Sequence, residues 1–253
     1  MESIEDGLSP KAKSIEEELA STRVGEELAR LRSIYGELEQ KQKEFCSCFD
    51  LRCPEGCGSC CRDFTPDITE LEADFLAYGL IAEGLDGAVL EQLEGGAAGE
   101  HGGIAPVTRG CPFFREQGPY HCTVYKWRPL VCRLFGAAAS TDKNDHPVFR
   151  HCKWNPLTQD IPTEELEAHR ELLVLMNEYG LMLEESDPDC TERLLIPEIL
   201  PRAIRKVRMM LEFAERGVDG VHFDYIRYPE NPGTFPDRDT YKRYAPKGVS
   251  KDD

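Results

Sequence analysis

A mainly α fold with an irregular cysteine-rich centre and a few short strands is the class this sequence predicts, and three observations predict it. Apolar residues recur at helical spacing near both ends of the chain. The segment between them alternates short apolar pieces with prolines and aromatics. The same segment holds most of the 11 cysteines. At 253 residues the chain can bury a core without disulfide staples.

Composition narrows the classes of function. A formal charge of −17 repels phosphate backbones, so nucleic-acid binding is not expected. No apolar run approaches the roughly 20 residues that cross a bilayer, and no membrane role is expected. The cysteine count is odd and MESIEDGLSPKAKSIEEELA carries no apolar signal region, so the expectation is a reducing cytoplasm rather than a secreted disulfide scaffold.

From Ser14 to about Phe45, Ile15, Leu19, Val24, Leu28, Leu31, Ile34, Tyr35 and Leu38 recur every three to five positions, an amphipathic helical pattern. Gly25 and Gly36 each cost such a helix about 1 kcal/mol, which favours a helix that relies on packing, or two helices. It covers a metal domain or, alternatively, offers a partner surface. Cys46 and Cys48 follow as accessory ligands or ordinary thiols.

Cys53-Pro-Glu-Gly-Cys57-Gly-Ser-Cys60-Cys61 places four cysteines in nine residues, too many thiols for one loop to bury as packing. Next, Ile68-Thr69-Glu70-Leu71-Glu72 reads as a capping box opening a helix to about Ile81. Capping accounts for Glu70 and Glu72 without metal ligation. A short helix over 87–93 gives way to the glycine-rich Gly95–Gly103, which lacks the GxGxxG spacing of a nucleotide loop and reads as flexible.

The second cysteine region runs Cys111-Pro-Phe-Phe, His121-Cys122-Thr-Val-Tyr125-Lys-Trp-Arg128-Pro129-Leu-Val-Cys132-Arg133, and His151-Cys152. It reads as turns, one or two short strands and a short helix near Pro129. Pro162-Thr163-Glu164-Glu165 opens a helix carrying Leu166, Leu172, Leu173, Leu175, Met176 and Tyr179, expected to stop near Gly180. Cys190 lies alone in an acidic loop. A further helix from about Ile196 to Arg216 carries Arg202, Arg205, Lys206 and Arg208, a basic face expected to pair with nearby carboxylates. The expected organisation is an amphipathic helix over 1–45, a cysteine-cluster domain over 46–190, a helix and strand over 191–230 and a polar tail over 231–253.

Thiolates select zinc, iron–sulfur clusters or copper(I) over hard cations. Zinc sites pair cysteines two to four residues apart, which Cys57 and Cys60 satisfy, but Cys111, Cys122 and Cys132 are ten or eleven apart. Iron–sulfur centres accept scattered ligands. Eight thiols suffice for two four-ligand sites or one polynuclear centre. A buried anionic centre needs donors and positive charge around it, for which Arg62, Tyr125, Arg128 and Arg133 are placed. His121 and His151 adjoin ligand candidates, yet neighbours in extended chain point to opposite faces.

At these residues the chain resembles the CxxCxxCC (YkgJ-type) cysteine-cluster family of zinc- or iron-chelating domains. Gly56–Cys61, the acidic helix start, the CPF from Cys111 and Cys122–Phe135 carry the likeness. It implies Cys53, Cys57, Cys60, Cys61, Cys111, Cys122, Cys132 and Cys152 as metal ligands. Three residues separate Cys53 from Cys57 where the family name has two, so Cys53 departs from the pattern. A flagellin lysine methylase is similar in its cysteine cluster, but no S-adenosylmethionine loop is recognisable. Gly217–Pro229 resembles a strand of a glycoside-hydrolase TIM-barrel family, with Asp224 near the sugar site. A barrel takes about 250 residues and a glycosidase needs two placed carboxylates, so a docked terminal strand is the expectation instead.

The resulting expectation is an iron-binding protein with an iron–sulfur or polynuclear thiolate site and a redox role. The alternatives are zinc in a structural, metal-delivery or interaction protein, and a metal-dependent enzyme of unknown substrate.

Overall fold

The computed structural model describes residues 8–20, 22–53, 57–62, 64–95, 110–116, 121–153, 155, 159–188 and 192–216. The chain divides after residue 217, and the described residues fall in the first unit. Most of the loop expected over Gly95–Gly103, together with Cys190, the stretch 217–229 and the polar tail, lies outside the described residues.

The first expected helix forms as two. α1 (Pro10–Leu19) starts on the Ser9 cap with Pro10 in its first turn, and α2 (Arg23–Cys48) starts on Thr22, whose Oγ1 accepts from Gly25 N at 3.0 Å. Gly25 is explained by this break. A Cβ there would lie 1.9 Å from the Leu19 carbonyl oxygen, so glycine lets the end of α1 meet the start of α2.

After the short α3 (Ser59–Arg62), strand β1 (Asp67–Ile68) leads into α4 (Glu70–Glu83). The capping box is formed: Thr69 Oγ1 accepts from Glu72 N at 3.3 Å, and Glu72 Oε2 accepts from Thr69 N at 3.0 Å. Every residue of α4 from Leu71 to Ala82 is buried, the mark of a helix surrounded on all sides. α1, α2 and the late helix α9 (Ile196–Glu215) pack around it, and the Trp127 ring occupies the space where a Cβ on Gly79 would sit. Gly84, at φ +71, ends it in the left-handed conformation that favours glycine, and α5 (Asp86–Gly95) follows.

The cysteine-rich segment contributes a 3₁₀ turn at Tyr125–Trp127 and α6 (Leu130–Leu134). A hairpin of β2 (Ser140–Thr141) and β3 (Pro147–Val148) comes next, with Ser140 opposite Val148. The helix expected from Thr163 to near Gly180 is broken. α7 (Thr163–Ala168) ends in a 3₁₀ turn at Arg170–Leu172, and α8 (Met176–Ser186) starts afresh and runs through Gly180. Between them Leu173, Val174 and Leu175 are extended and buried, with Ala139 N donating to Val174 O at 2.8 Å and Met176 N to Ala139 O at 2.9 Å. A sheet-like bridge to Ala139 outweighs the helical pattern, helped by the β-branched Val174.

Strand β4 (Leu194–Leu195) pairs antiparallel with β1, bringing the start of α9 (Ile196–Glu215) beside the start of α4. Ile199, Leu200, Ala203, Ile204 and Val207 form its buried stripe. Its basic residues pair as the sequence suggests: Arg202 and Lys206 with Glu70, Arg205 with Glu94 and Arg208 with Asp86. Among the described residues no helix is long and apolar enough to cross a membrane.

Candidate metal centre

Two glycines let the cysteine segments close on one another. A Cβ on Gly58 would lie 2.5 Å from the His121 Cβ, so the chain between Cys57 and Cys60 can lie against His121 only without a side chain. Gly110, at φ +131, presses on Arg62, whose carbonyl oxygen would be 2.3 Å from an added Cβ. Beside it Cys111 N donates to Cys61 O at 3.0 Å. A short ladder continues from there, with Thr123 N donating to Phe113 O at 3.1 Å and Phe114 opposite Cys122.

The consequence is one cavity of about 440 Å³ whose wall includes all eight cysteines that the family resemblance implies: Cys53, Cys57, Cys60, Cys61, Cys111, Cys122, Cys132 and Cys152. Cys46, from the last turn of α2, lines it too, whereas Cys48 is exposed. Phe64, Phe113, Tyr125, Phe135 and Ile196 supply apolar wall. The sulfurs of Cys60 and Cys61 are 3.8 Å apart. As placed, no three His, Cys, Asp or Glu side chains among the described residues converge tightly enough to grip an ion. Lining one cavity and converging on one point are different conditions, and the cavity is the stronger guide because thiol rotamers turn far more easily than backbone moves.

His121 and His151 are not in the cavity wall. The His121 ring stacks on Phe114 with centroids 5.9 Å apart and its Nδ1 is 2.8 Å from the Arg115 carbonyl, while His151 Nδ1 is 2.7 Å from Asp160. Glu70 and Glu72 are likewise engaged elsewhere. Besides capping Thr69, Glu72 accepts from Leu130 N at 2.8 Å and from Tyr35 Oη at 3.2 Å, which fixes the start of α6 on α4.

Six of the thiols lining the cavity are costly to ionise where they sit. Burial pushes Cys53 and Cys111 up to about 11, with Cys57 adding to the effect at Cys53. Cys60 is raised above the ordinary thiol range by its contact with Cys61 and then by burial, while burial alone dominates at Cys46, Cys122 and Cys132. Arg128 opposes the rise at Cys60, Cys122 and Cys132. Its guanidinium lies 4.0 Å over the Tyr125 ring, and its buried Nε has no hydrogen-bond partner among the described residues. A buried unsatisfied donor costs about 1–3 kcal/mol. Thiols reluctant to hold charge alone, beside a guanidinium whose buried Nε has no hydrogen-bond partner among the described residues, fit a metal that replaces the protons and leaves a net anionic centre for Arg128 to face.

Arg133 is positioned differently. It is buried, pairs with Glu39, donates through Nε to Arg128 O at 2.8 Å and through Nη2 to Lys126 O at 2.6 Å, and lies 4.2 Å over Tyr35. Gln42 Nε2 donates to Arg133 O at 2.7 Å. Tyr35, Glu39, Gln42 and Cys46 recur at helical spacing along one face of α2, which therefore grips the segment that carries Arg128 and Cys132. Sequence reasoning missed Gln42 and Glu39; the signal was a polar pair interrupting a buried stripe.

A cavity walled by thiols, with the Arg128 guanidinium beside them, has the donor set of a soft-metal-binding site. Residues 52–153 match the model of the CxxCxxCC family, described as a putative zinc- or iron-chelating domain. The match spans all eight cysteines and leaves out Glu39, Gln42 and Cys46, as well as 217–229. No curated protein and no solved structure matches the chain.

Proposed function

We propose that the protein binds iron through Cys53, Cys57, Cys60, Cys61, Cys111, Cys122, Cys132 and Cys152, as an iron–sulfur or other polynuclear thiolate centre with a redox role. The observation that carries this reading is that eight thiols wall one cavity, twice what a single tetrahedral ion uses. Such a centre supplies reversible one-electron chemistry. The protein's own residues do the rest. Arg128 faces the anionic centre, Tyr125 holds the guanidinium in place, and Arg133 fixes the backbone that presents both. Seven of these cysteines are half-buried and Cys53 is exposed, so the apolar wall limits water only in part at the sulfurs, a factor that tunes potential.

Zinc held for folding or delivery is the second reading, favoured by the spacing of Cys57 and Cys60. The two separate on one preparation. Anaerobically purified protein is expected to be brown, with iron and acid-labile sulfide in simple ratio and an absorption spectrum that bleaches on reduction. A colourless preparation carrying only zinc overturns the iron reading.

A further inference from the structure

Nine cysteines line the cavity, and the family segment accounts for eight of them. The ninth, Cys46, comes from α2, ahead of residue 52 where the match begins. Three features of its surroundings separate it from an ordinary core thiol. At this point α2 is fastened to the segment that carries Cys132: Gln42 Nε2 donates to Arg133 O at 2.7 Å and to Ala137 O at 3.4 Å, and Glu39 pairs with Arg133. The end of α2 also turns the chain back along the cavity. Leu51 N donates to Cys46 O at 2.9 Å across Asp50, at φ +49, and Leu51, Arg52 and Cys53 continue along the wall. Finally, Gln42 lies one turn before Cys46, lines the same cavity and is 1% exposed, yet its Oε1 has no hydrogen-bond partner among the described residues. Reversing the amide would not help, since it would set the oxygen against two carbonyl oxygens.

Side chains four residues apart share a helix face, the spacing by which two donors on one helix reach one ion. Cys48, two residues beyond Cys46, is carried about 200° around the axis, and it is exposed and outside the cavity wall. We infer that Cys46 is a ninth thiolate ligand of the metal centre, supplied by α2, with the unused Gln42 oxygen on the same face one turn before it. The inference deepens the metal-binding reading and rests on it. Its consequence is that metal loading fastens α2 to the cysteine segment by a bond as well as by packing, so the helix and the centre are coupled.

The test uses the full chain purified anaerobically with its own metal. It is treated with iodoacetamide before and after a chelator strips the metal, and each cysteine is followed by mass spectrometry. Cys46, Cys60 and Cys132 should be alkylated several-fold faster once the metal is gone, whereas Cys48 should react at one rate throughout. Protection of Cys60 and Cys132 without protection of Cys46 overturns the ninth ligand and leaves the metal reading intact. A parent with no metal, or with none of these thiols protected, overturns the metal reading itself. Because stripping can also loosen the packing around a half-buried thiol, a second arm reads the bond directly. Apoprotein loaded with Co(II) should show weaker thiolate-to-cobalt charge-transfer absorption in Cys46→Ser than in the parent, and the same absorption in Cys48→Ser. Removing an outer-shell partner already weakens metal binding about 10–100-fold, so chelator competition should show at least that loss in Cys46→Ser. Equal absorption and equal affinity in all three proteins overturn the assignment.

Discussion

Lys206 on the seam between α4 and α9, and Arg128 beside the cysteines, are both cations partly withdrawn from water, and the molecule treats them differently. Lys206 Nζ meets Asp74 at 2.6 Å and Glu70 at 2.9 Å. Arg128 has an aromatic ring, thiols and a buried Nε with no partner among the described residues. The helical frame therefore satisfies its charges internally, whereas the cavity is built to be completed by something the chain does not encode. Folding energy in the first region resides in packing, and in the second it is coupled to a ligand.

The largest expected effect follows directly. Cys132→Ser should lose metal and lower stability by several kcal/mol, about 10 °C in Tm for a chain of this size. Chelator should lower the Tm of the parent more than that of the variant. Retained metal with an unchanged melting curve would remove Cys132 from the ligands and erase the contrast between the regions.

Next comes the joint between them. Glu39→Gln leaves the buried Arg133 guanidinium without its carboxylate, and breaking such a pair costs about 3–5 kcal/mol. Urea unfolding should show that loss, accompanied by weaker metal retention, because Arg133 holds the carbonyls of Arg128 and Lys126. Destabilisation with metal affinity untouched would mean that α2 supports the frame but not the site.

How much of this was legible in the sequence depends on the range of the interaction. The capping box and the burial of α4 follow from Thr69, Glu72 and an unbroken apolar run, all local. The break at Leu173–Leu175 was not legible, since its cause is a bridge to Ala139, over thirty residues away. Arg128 and Arg133 look equivalent beside Cys132. Within α6, however, Cys132 and Arg133 diverge by about 100°, so Arg133 turns to Glu39, while Arg128, in extended backbone ahead of α6, lies over Tyr125. The eight cysteines could be named from their pattern, but not the close approaches at Gly58 and Gly110 that bring their loops together.

Within the frame, Asp74 is the point where internal compensation is least complete. Burial raises its pKa to about 6 despite Lys206, and its Oδ1 has no hydrogen-bond partner among the described residues. Lys206 is itself raised because pairing with two carboxylates outweighs its burial. The two directions agree once exposure is considered: the Asp74 side chain is 2% exposed and that of Lys206 32%, so desolvation falls mainly on the acid. The folded state thus holds the Asp74 proton more tightly than the unfolded state. Its contribution to stability declines as pH rises from about 4 to about 6, and the penalty is complete above that. Asp74→Asn should therefore gain on the parent across this window, by up to about 3 kcal/mol, while Lys206 keeps Glu70. Parallel stability profiles from pH 4 to pH 8 would show that the pair fully offsets its burial.

The smallest effect is the sharpest check on what holds α9. Arg202 is 65% exposed and its Nη2 is 3.2 Å from a Glu70 that Lys206 also engages. Exposed pairs of this kind contribute about 0–1 kcal/mol, and Ile199, Ala203, Ile204 and Val207 bury the opposite face of the helix. Arg202→Ala should lower the unfolding free energy read from urea titration by less than about 0.5 kcal/mol and lose even that difference at high salt. A larger, salt-sensitive loss would mean that the basic face, rather than the apolar stripe, fastens α9 to α4. In that case the frame as well as the cavity would depend on electrostatics, and the two regions would differ in degree instead of kind.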